Sequence, residues 1–159
     1  MKNIVKTLVI ASLFAATFTT AIPEAEAATT LRSSALSSAR TQIGAKYVWG
    51  AEGGYSKGYD CSGLTYWAYG RHGKKLPRTA QEQYNKSTKV AANSRRVGDL
   101  VFIKDSRGRV YHVGIYTGYR NGKGWMVNAN TGSYRGRKVV EAPIAEYTAG
   151  SPYAVYGRY

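Results

Sequence analysis

Acidic residues are scarce in this sequence. Nine Asp and Glu stand against 23 Lys and Arg, which leaves a formal charge of +14. The chain is therefore attracted to polyanions, or is simply kept soluble by its charge. No run of Lys or Arg is longer than two, so the positive charge is spread. A diffuse field of this kind fits an extended anionic polymer better than a groove that reads bases, and specific nucleic-acid binding is not expected. Cysteine is nearly absent: Cys61 stands alone, which excludes an internal disulfide and a cysteine-rich metal site. Histidine is nearly as rare, with His72 and His112 only. No cluster of metal-ligand spacing, no phosphate loop and no serine triad is legible, and no cofactor is expected.

The one long uncharged run lies at the start. Lys2 and Lys6 precede Thr7 to Ile22, and Ala25-Glu26-Ala27 follows. A positive n-region, an apolar h-region and an Ala-x-Ala site are the parts of a cleaved signal peptide. The run is short, and rich in Thr and Ser for a membrane span, so stable membrane insertion is not expected. The expected organisation is a signal peptide at 1–27 and a single domain at 28–159. Removing 27 of 159 residues leaves 132, ample for one core. Two positive and two negative charges leave with it, so the net charge stays at +14. The product is expected outside the cell or on its wall, as a monomer.

The remaining pattern changes character once. Leu31, Ala35, Ala39 and Ile43 predict a helix, capped by Thr29 or Thr30 and ended by Gly44. A loop rich in Gly and Tyr follows, up to Tyr59. Cys61, Leu64 and Ala68 predict a second helix, with a further turn or two at Gln81 to Asn85. After Asn93 the pattern becomes that of strands: 100–104, 110–119, 125–129, 138–142 and 153–156. Turns at Arg107-Gly108, Asn121-Gly122 and Arg135-Gly136 separate several of them. Helices followed by strands predict an α+β domain, an antiparallel sheet packed on a helix layer.

A lone free thiol in an exported protein is either buried and inert or kept for its chemistry. Asp60-Cys61-Ser62-Gly63 sits where a glycine-rich loop enters a helix. Unsatisfied N–H groups and the positive dipole end there favour thiolate and can receive an oxyanion. A nucleophilic cysteine needs a base. His72 lies at the far end of the same helix, well away at about 1.5 Å per residue. His112 lies in a strand on one face with Val110, Gly114 and Tyr116, where Gly114 leaves open space beside the imidazole. A core histidine is the plainer alternative. Hairpin pairing through Asn121-Gly122 brings Asn128 toward His112 as the group that orients it, with Asn130 on the same face as a rival.

The order and spelling of these pieces resemble the NlpC-type family of bacterial cell-wall peptidases, a papain-like branch. Tyr47-Val48-Trp49-Gly50, Asp60-Cys61-Ser62-Gly63-Leu64, Leu76-Pro77-Arg78-Thr79 with Gln83, Gly98-Asp99-Leu100-Val101-Phe102 and His112-Val113-Gly114-Ile115-Tyr116 match in order. The resemblance implies a papain-like α+β fold with the nucleophile at a helix start. It implies hydrolysis of the bond between D-glutamate and a diamino acid in peptidoglycan stem peptides. Cys61, His112 and Asn128 would be catalytic, although this family often has His where Asn128 stands. Tyr47, Asp60 and Ser62 would help hold the substrate. No wall-binding module is recognisable, and the positive charge takes its place as a salt-sensitive hold on anionic wall polymers. The alternatives are an N-acetylmuramoyl amidase of the papain-like CHAP type and a non-catalytic cationic wall-binding module. The presence of both Cys61 and His112 speaks against the second.

Overall fold

The computed structural model describes residues 23–132, 134–150 and 152–159. Most of the expected signal peptide lies outside the described residues. Its last part, Glu24 to Ala27, opens the first helix, α1, at Glu24–Arg40. That helix starts earlier than the expected Thr29 or Thr30 cap. Glu24 and Glu26 complement the dipole in the first turn, and the Ala-rich sequence has high helix propensity. The Thr29 hydroxyl bonds back to the Ala25 carbonyl at 2.8 Å instead of capping. The buried stripe is Arg32, Ala35, Leu36 and Ala39, the i, i+3, i+4, i+7 pattern. Ile43 was expected on that face but is exposed, because the helix ends at Arg40.

Helix α2 spans Cys61–Gly70 and α3 spans Ala80–Lys86. Asp60 caps α2 through the Gly63 N–H at 2.7 Å. Gly63 belongs to the Asp-Cys-Ser-Gly spelling for a steric reason: a Cβ there would lie 2.1 Å from the Ala51 carbonyl oxygen. The loop before the helix therefore folds directly onto its first turn. Thr79 and Glu82 form a capping box on α3, which fixes that short helix in place. Leu64 and Ala68 are fully buried beneath α2, as their spacing predicts.

Six strands follow: β1 Thr88–Val90, β2 Leu100–Lys104, β3 Val110–Arg120, β4 Lys123–Ala129, β5 Val139–Pro143 and β6 Tyr153–Arg158. They form one antiparallel sheet in the order β1-β6-β2-β3-β4-β5. The short β1 was not legible; it is three residues long, with two exposed. Leu100, Phe102, Val113, Ile115 and Val127 face the helices. The other face is also covered: Val101, Ile103, Tyr116 and Met126 pack with Ile144 of a 3-10 turn at Ile144–Tyr147. Burial on both faces explains why β2 reads as a continuous apolar run rather than an alternation.

Asp99 ties the layers together. Its buried carboxylate takes Arg158 at 2.7 and 2.8 Å and the Arg96 N–H at 2.7 Å, with Arg32 of α1 at 3.6 Å. Gly98 has φ of +90°, and a Cβ there would meet Arg32 backbone at 2.7 Å. The Gly-Asp pair thus lets α1 press on the start of β2.

Candidate active site

Strands β3 and β4 pair from Ile115↔Val127 to Arg120↔Lys123, and the first half of β3 pairs with β2 alone. The β3–β4 ladder therefore stops short of His112 and Asn128. The backbone N–H groups of Val113, Ser62 and Cys61 itself lie close enough to Sγ to favour its thiolate. The thiol therefore lies directly beside the residue that follows His112.

His112 is buried, and its Nε2 lies 3.0 Å from Asn128 Oδ1. An amide oxygen only accepts, so in the neutral ring Nε2 carries the proton and Nδ1 keeps a free lone pair. Asn130, the rival, is engaged elsewhere. Its Nδ2 donates to the Tyr134 carbonyl and, at 3.0 Å, to the Gly136 carbonyl, organising the turn before β5. Gly114 does not leave open space beside the imidazole, as the sequence suggested. A Cβ there would lie 2.8 Å from Met126 Sδ and 3.0 Å from Asn128 Cβ. The missing side chain is what lets Asn128 approach the face that carries His112.

His72 lies beyond the far end of α2, exposed, with Nε2 2.9 Å from Ser38 Oγ. It is remote from the thiol, as its position in the sequence implies.

Asp60 is saturated. Oδ1 accepts from Gly63 N–H at 2.7 Å, Arg78 Nη1 at 3.0 Å and the Ser62 hydroxyl at 3.4 Å. Oδ2 accepts from Gly50 N–H at 3.0 Å and Arg78 Nη2 at 2.7 Å. Tyr47 is buried close by. Burial raises its hydroxyl above the usual range, and the charges of Cys61 and Asp60 add to that; the Arg137 guanidinium sits 5.1 Å over its ring. A groove of about 500 Å³ opens above the thiol, with Asp60, Ser62, Arg78 and Gln81 in its wall. Trp49 and Tyr111 line it too and are exposed, at 85% and 51%.

The electrostatics differ from the sequence expectation that the helix start favours thiolate. Burial pushes the Cys61 thiol up to about 11, and the Asp60 carboxylate acts in the same direction. The three N–H groups oppose this and do not prevail. The cap adds to the effect of burial: it uses one free N–H and places a negative charge at the positive dipole end. Burial pushes His112 down to about 4, against the Asn128 hydrogen bond, which acts upward. The resting pair is a neutral thiol and a neutral imidazole.

Two neighbours were not assigned a role from the sequence. Arg78 was legible only as part of a matching segment. Tyr147 stacks on His112 with ring centroids 4.9 Å apart, and no local signal marks it. No group of three His, Cys, Asp or Glu that could hold a metal occurs among the described residues. No described helix is long and apolar enough to cross a membrane.

Residues 44–151 match the model of the NlpC/P60 family, well over half of the chain. The chain belongs to the NlpC/P60 family. Among curated relatives, the bifunctional muramidase/DL-endopeptidase CwlT of Bacillus subtilis is 43% identical over 89 residues, covering 55% of this chain and 26% of CwlT. The chain spans about a third or less of the length of the curated relatives it matches. Among solved structures, the peptidoglycan hydrolase RipB of Mycobacterium tuberculosis aligns with a TM-score of 0.67 at 29% identity, over 86% of this chain and 68% of RipB. RipD of the same organism, described as a non-catalytic NlpC/p60 domain protein adapted to peptidoglycan binding, aligns at 0.62 with 26% identity, over 80% of this chain and 96% of that one. The NlpC/P60 fold is the papain-like α+β arrangement expected from the sequence: helices first, then the six-stranded antiparallel sheet.

Proposed function

We propose that this NlpC/P60 chain is an exported cysteine endopeptidase that cuts peptidoglycan stem peptides between D-glutamate and the diamino acid. The observation that carries it is the His112 Nε2 to Asn128 Oδ1 hydrogen bond of 3.0 Å, with the Cys61 thiol against the adjoining Val113 N–H. Cys61 is the nucleophile, His112 the base and Asn128 the residue that fixes its tautomer. The naming of CwlT as a DL-endopeptidase supports the choice of bond. Residues 1–27 act as the export signal.

In the reaction, the thiol proton passes to Nδ1 as sulfur attacks the scissile carbonyl carbon. Attraction between thiolate and imidazolium offsets the burial that disfavours each alone. N–H groups at the start of α2 receive the oxyanion. The imidazolium protonates the leaving amine, and water then hydrolyses the thioester with His112 again as base. Tyr47, Asp60 and Ser62 hold the peptide on the nucleophile side. Asp60 does so from a position it shares with Arg78.

The positive charge holds the enzyme on anionic wall polymers. Among the described residues every ion pair is made by an arginine, so no described lysine is matched by a carboxylate.

The test is digestion of purified peptidoglycan with fragment identification by mass spectrometry. New amino ends on the diamino acid are expected. Fragments split between glycan and peptide would indicate the amidase instead, and unchanged peptidoglycan a binding module. Cys61→Ala and Cys61→Ser should abolish cleavage and keep the fold, and iodoacetamide should inactivate the wild type through Cys61.

A further inference from the structure

Asp60 poses an electrostatic problem. As N-cap it needs a side-chain oxygen acceptor, and a neutral Asn, Ser or Thr would serve equally well. A carboxylate directly before the thiol works against thiolate formation. Among the described residues the only cation that touches it is Arg78, from the segment between α2 and α3. That guanidinium is placed with all of its nitrogens engaged. Nη1 donates to Asp60 Oδ1 and to Ser62 Oγ, both at 3.0 Å. Nη2 donates to Asp60 Oδ2 at 2.7 Å and to the Ala51 carbonyl at 3.4 Å. Nε lies 3.1 Å from Glu52 Oε2.

We propose that Arg78 is a positioning residue that sets the reactivity of Cys61, by cancelling the field of the cap carboxylate at sulfur while it staples the 49–52 loop to α2. This rests on Cys61 being the nucleophile. The charged and titratable groups around the thiol are few. Asp60 and Arg78 lie on its helix side, Tyr47 lies across the loop with Arg137 behind it, and His112 lies on the strand side. Glu52 reaches the site only through Arg78. Arg137 makes no contact with Asp60, so among the described residues no other cation pairs with that carboxylate. The fork geometry matters as well. Two parallel bonds to one carboxylate plus a third to Ser62 suit a guanidinium and not an ammonium.

A purely mechanical staple predicts something different. Losing it would loosen the loop and lower thermal stability, with the ionisation of sulfur unchanged. The two roles separate in the pH dependence of thiol alkylation, which needs no substrate.

The experiment measures the iodoacetamide rate constant of Cys61 from pH 5 to 10 in the full chain. An opposite charge within about 4–6 Å moves an ionisation by about 1–3 units, and the half-exposed Arg78 belongs at the low end. Arg78→Gln should therefore react about tenfold more slowly at pH 7, with the rising limb of its rate displaced by about one unit toward higher pH. Asp60→Asn, which keeps a good cap, should react faster than wild type. The double variant Arg78→Gln/Asp60→Asn should return to within about twofold of wild type, because both charges are gone. An unchanged alkylation profile in Arg78→Gln with only a lower Tm overturns the proposal. So does a double variant as slow as Arg78→Gln. If Arg78→Gln does not fold, the Asp60→Asn profile decides: acceleration supports the charge role, and an unchanged rate overturns it. If the wild type alkylates at Cys61 but cleaves no peptidoglycan, the peptidase reading fails while the alkylation series still decides the role of Arg78.

Discussion

The ring of Tyr147 lies flat on the imidazole of His112, with centroids 4.9 Å apart and planes 9° from parallel. It comes from the 3-10 turn after β5 and covers one face of the imidazole. Its hydroxyl and the Asn128 Nδ2 are both buried without a hydrogen-bond partner. Burial raises that hydroxyl to about 12, and Asn128 lies close enough to act in the opposite direction. Tyr147 thus keeps water from the hydrogen bond that fixes the His112 tautomer. Tyr147→Leu removes the stacked ring, so the His112 pKa should rise from about 4 toward its ordinary 6.5. The acid limb of kcat/KM should move up in pH with it, while Tyr147→Phe, which keeps the ring, should resemble wild type. Identical acid limbs in Tyr147→Leu and wild type would remove the shielding role.

His112 also links stability to pH. Its folded pKa lies below the unfolded value, so the unfolded chain binds the proton more readily. Stability is full above pH 6.5 and falls as pH drops toward about 4. The loss is on the order of 3 kcal/mol. Urea midpoints across this window should show the slope in wild type and less of it in His112→Ala. The comparison between the two proteins is the measurement that counts, because it isolates the His112 contribution.

The two histidines should separate cleanly in activity. His112→Ala should lose about 10²–10⁴-fold in rate, the usual contribution of a positioned base. His72→Ala removes an exposed ring bonded to Ser38 and should be nearly silent. The reverse result in a stem-peptide assay would transfer the base role to His72.

Gly114→Ala tests the close approach of β4. The added methyl would meet Met126 Sδ at 2.8 Å, the Val127 carbonyl at 2.9 Å and Asn128 Cβ at 3.0 Å. Overpacking of this kind costs about 1–3 kcal/mol. Asn128 should also be pushed off His112, so kcat should fall beyond what the lower Tm accounts for. Full activity in Gly114→Ala would show that the 3.0 Å contact tolerates displacement.

Wall retention should depend on salt and cleavage should not. Screening shortens the reach of exposed charges to about 3 Å at 1 M salt. Binding to whole walls should weaken steeply with added salt, and turnover of a small soluble stem peptide should change little. Walls stripped of anionic polymers should retain less enzyme. Salt-insensitive binding, or small-peptide turnover that falls in parallel, would return the charge to a role in solubility.

Much was determined by the sequence alone. The Leu64 and Ala68 spacing places α2, Thr79 with Glu82 caps α3, and Asn121-Gly122 turns β3 into β4, because each signal is local and needs no partner. Asn121 and Gly122 adopt positive φ of 52° and 71°, as such a turn requires. The lone thiol at a helix start and a single strand histidine limited the candidates for nucleophile and base to one each. The tertiary structure decided what depends on distant contacts. It set Asn128 against His112 and turned Asn130 to the Tyr134 and Gly136 carbonyls. It reversed the expected effect of the helix start on Cys61, because burial and the cap carboxylate outweigh three N–H groups. Tyr147 reaches His112 across 35 residues of sequence, and Arg78 reaches Asp60 across 18. No periodicity marks such pairs, since they meet only when the sheet and the helix layer close on each other.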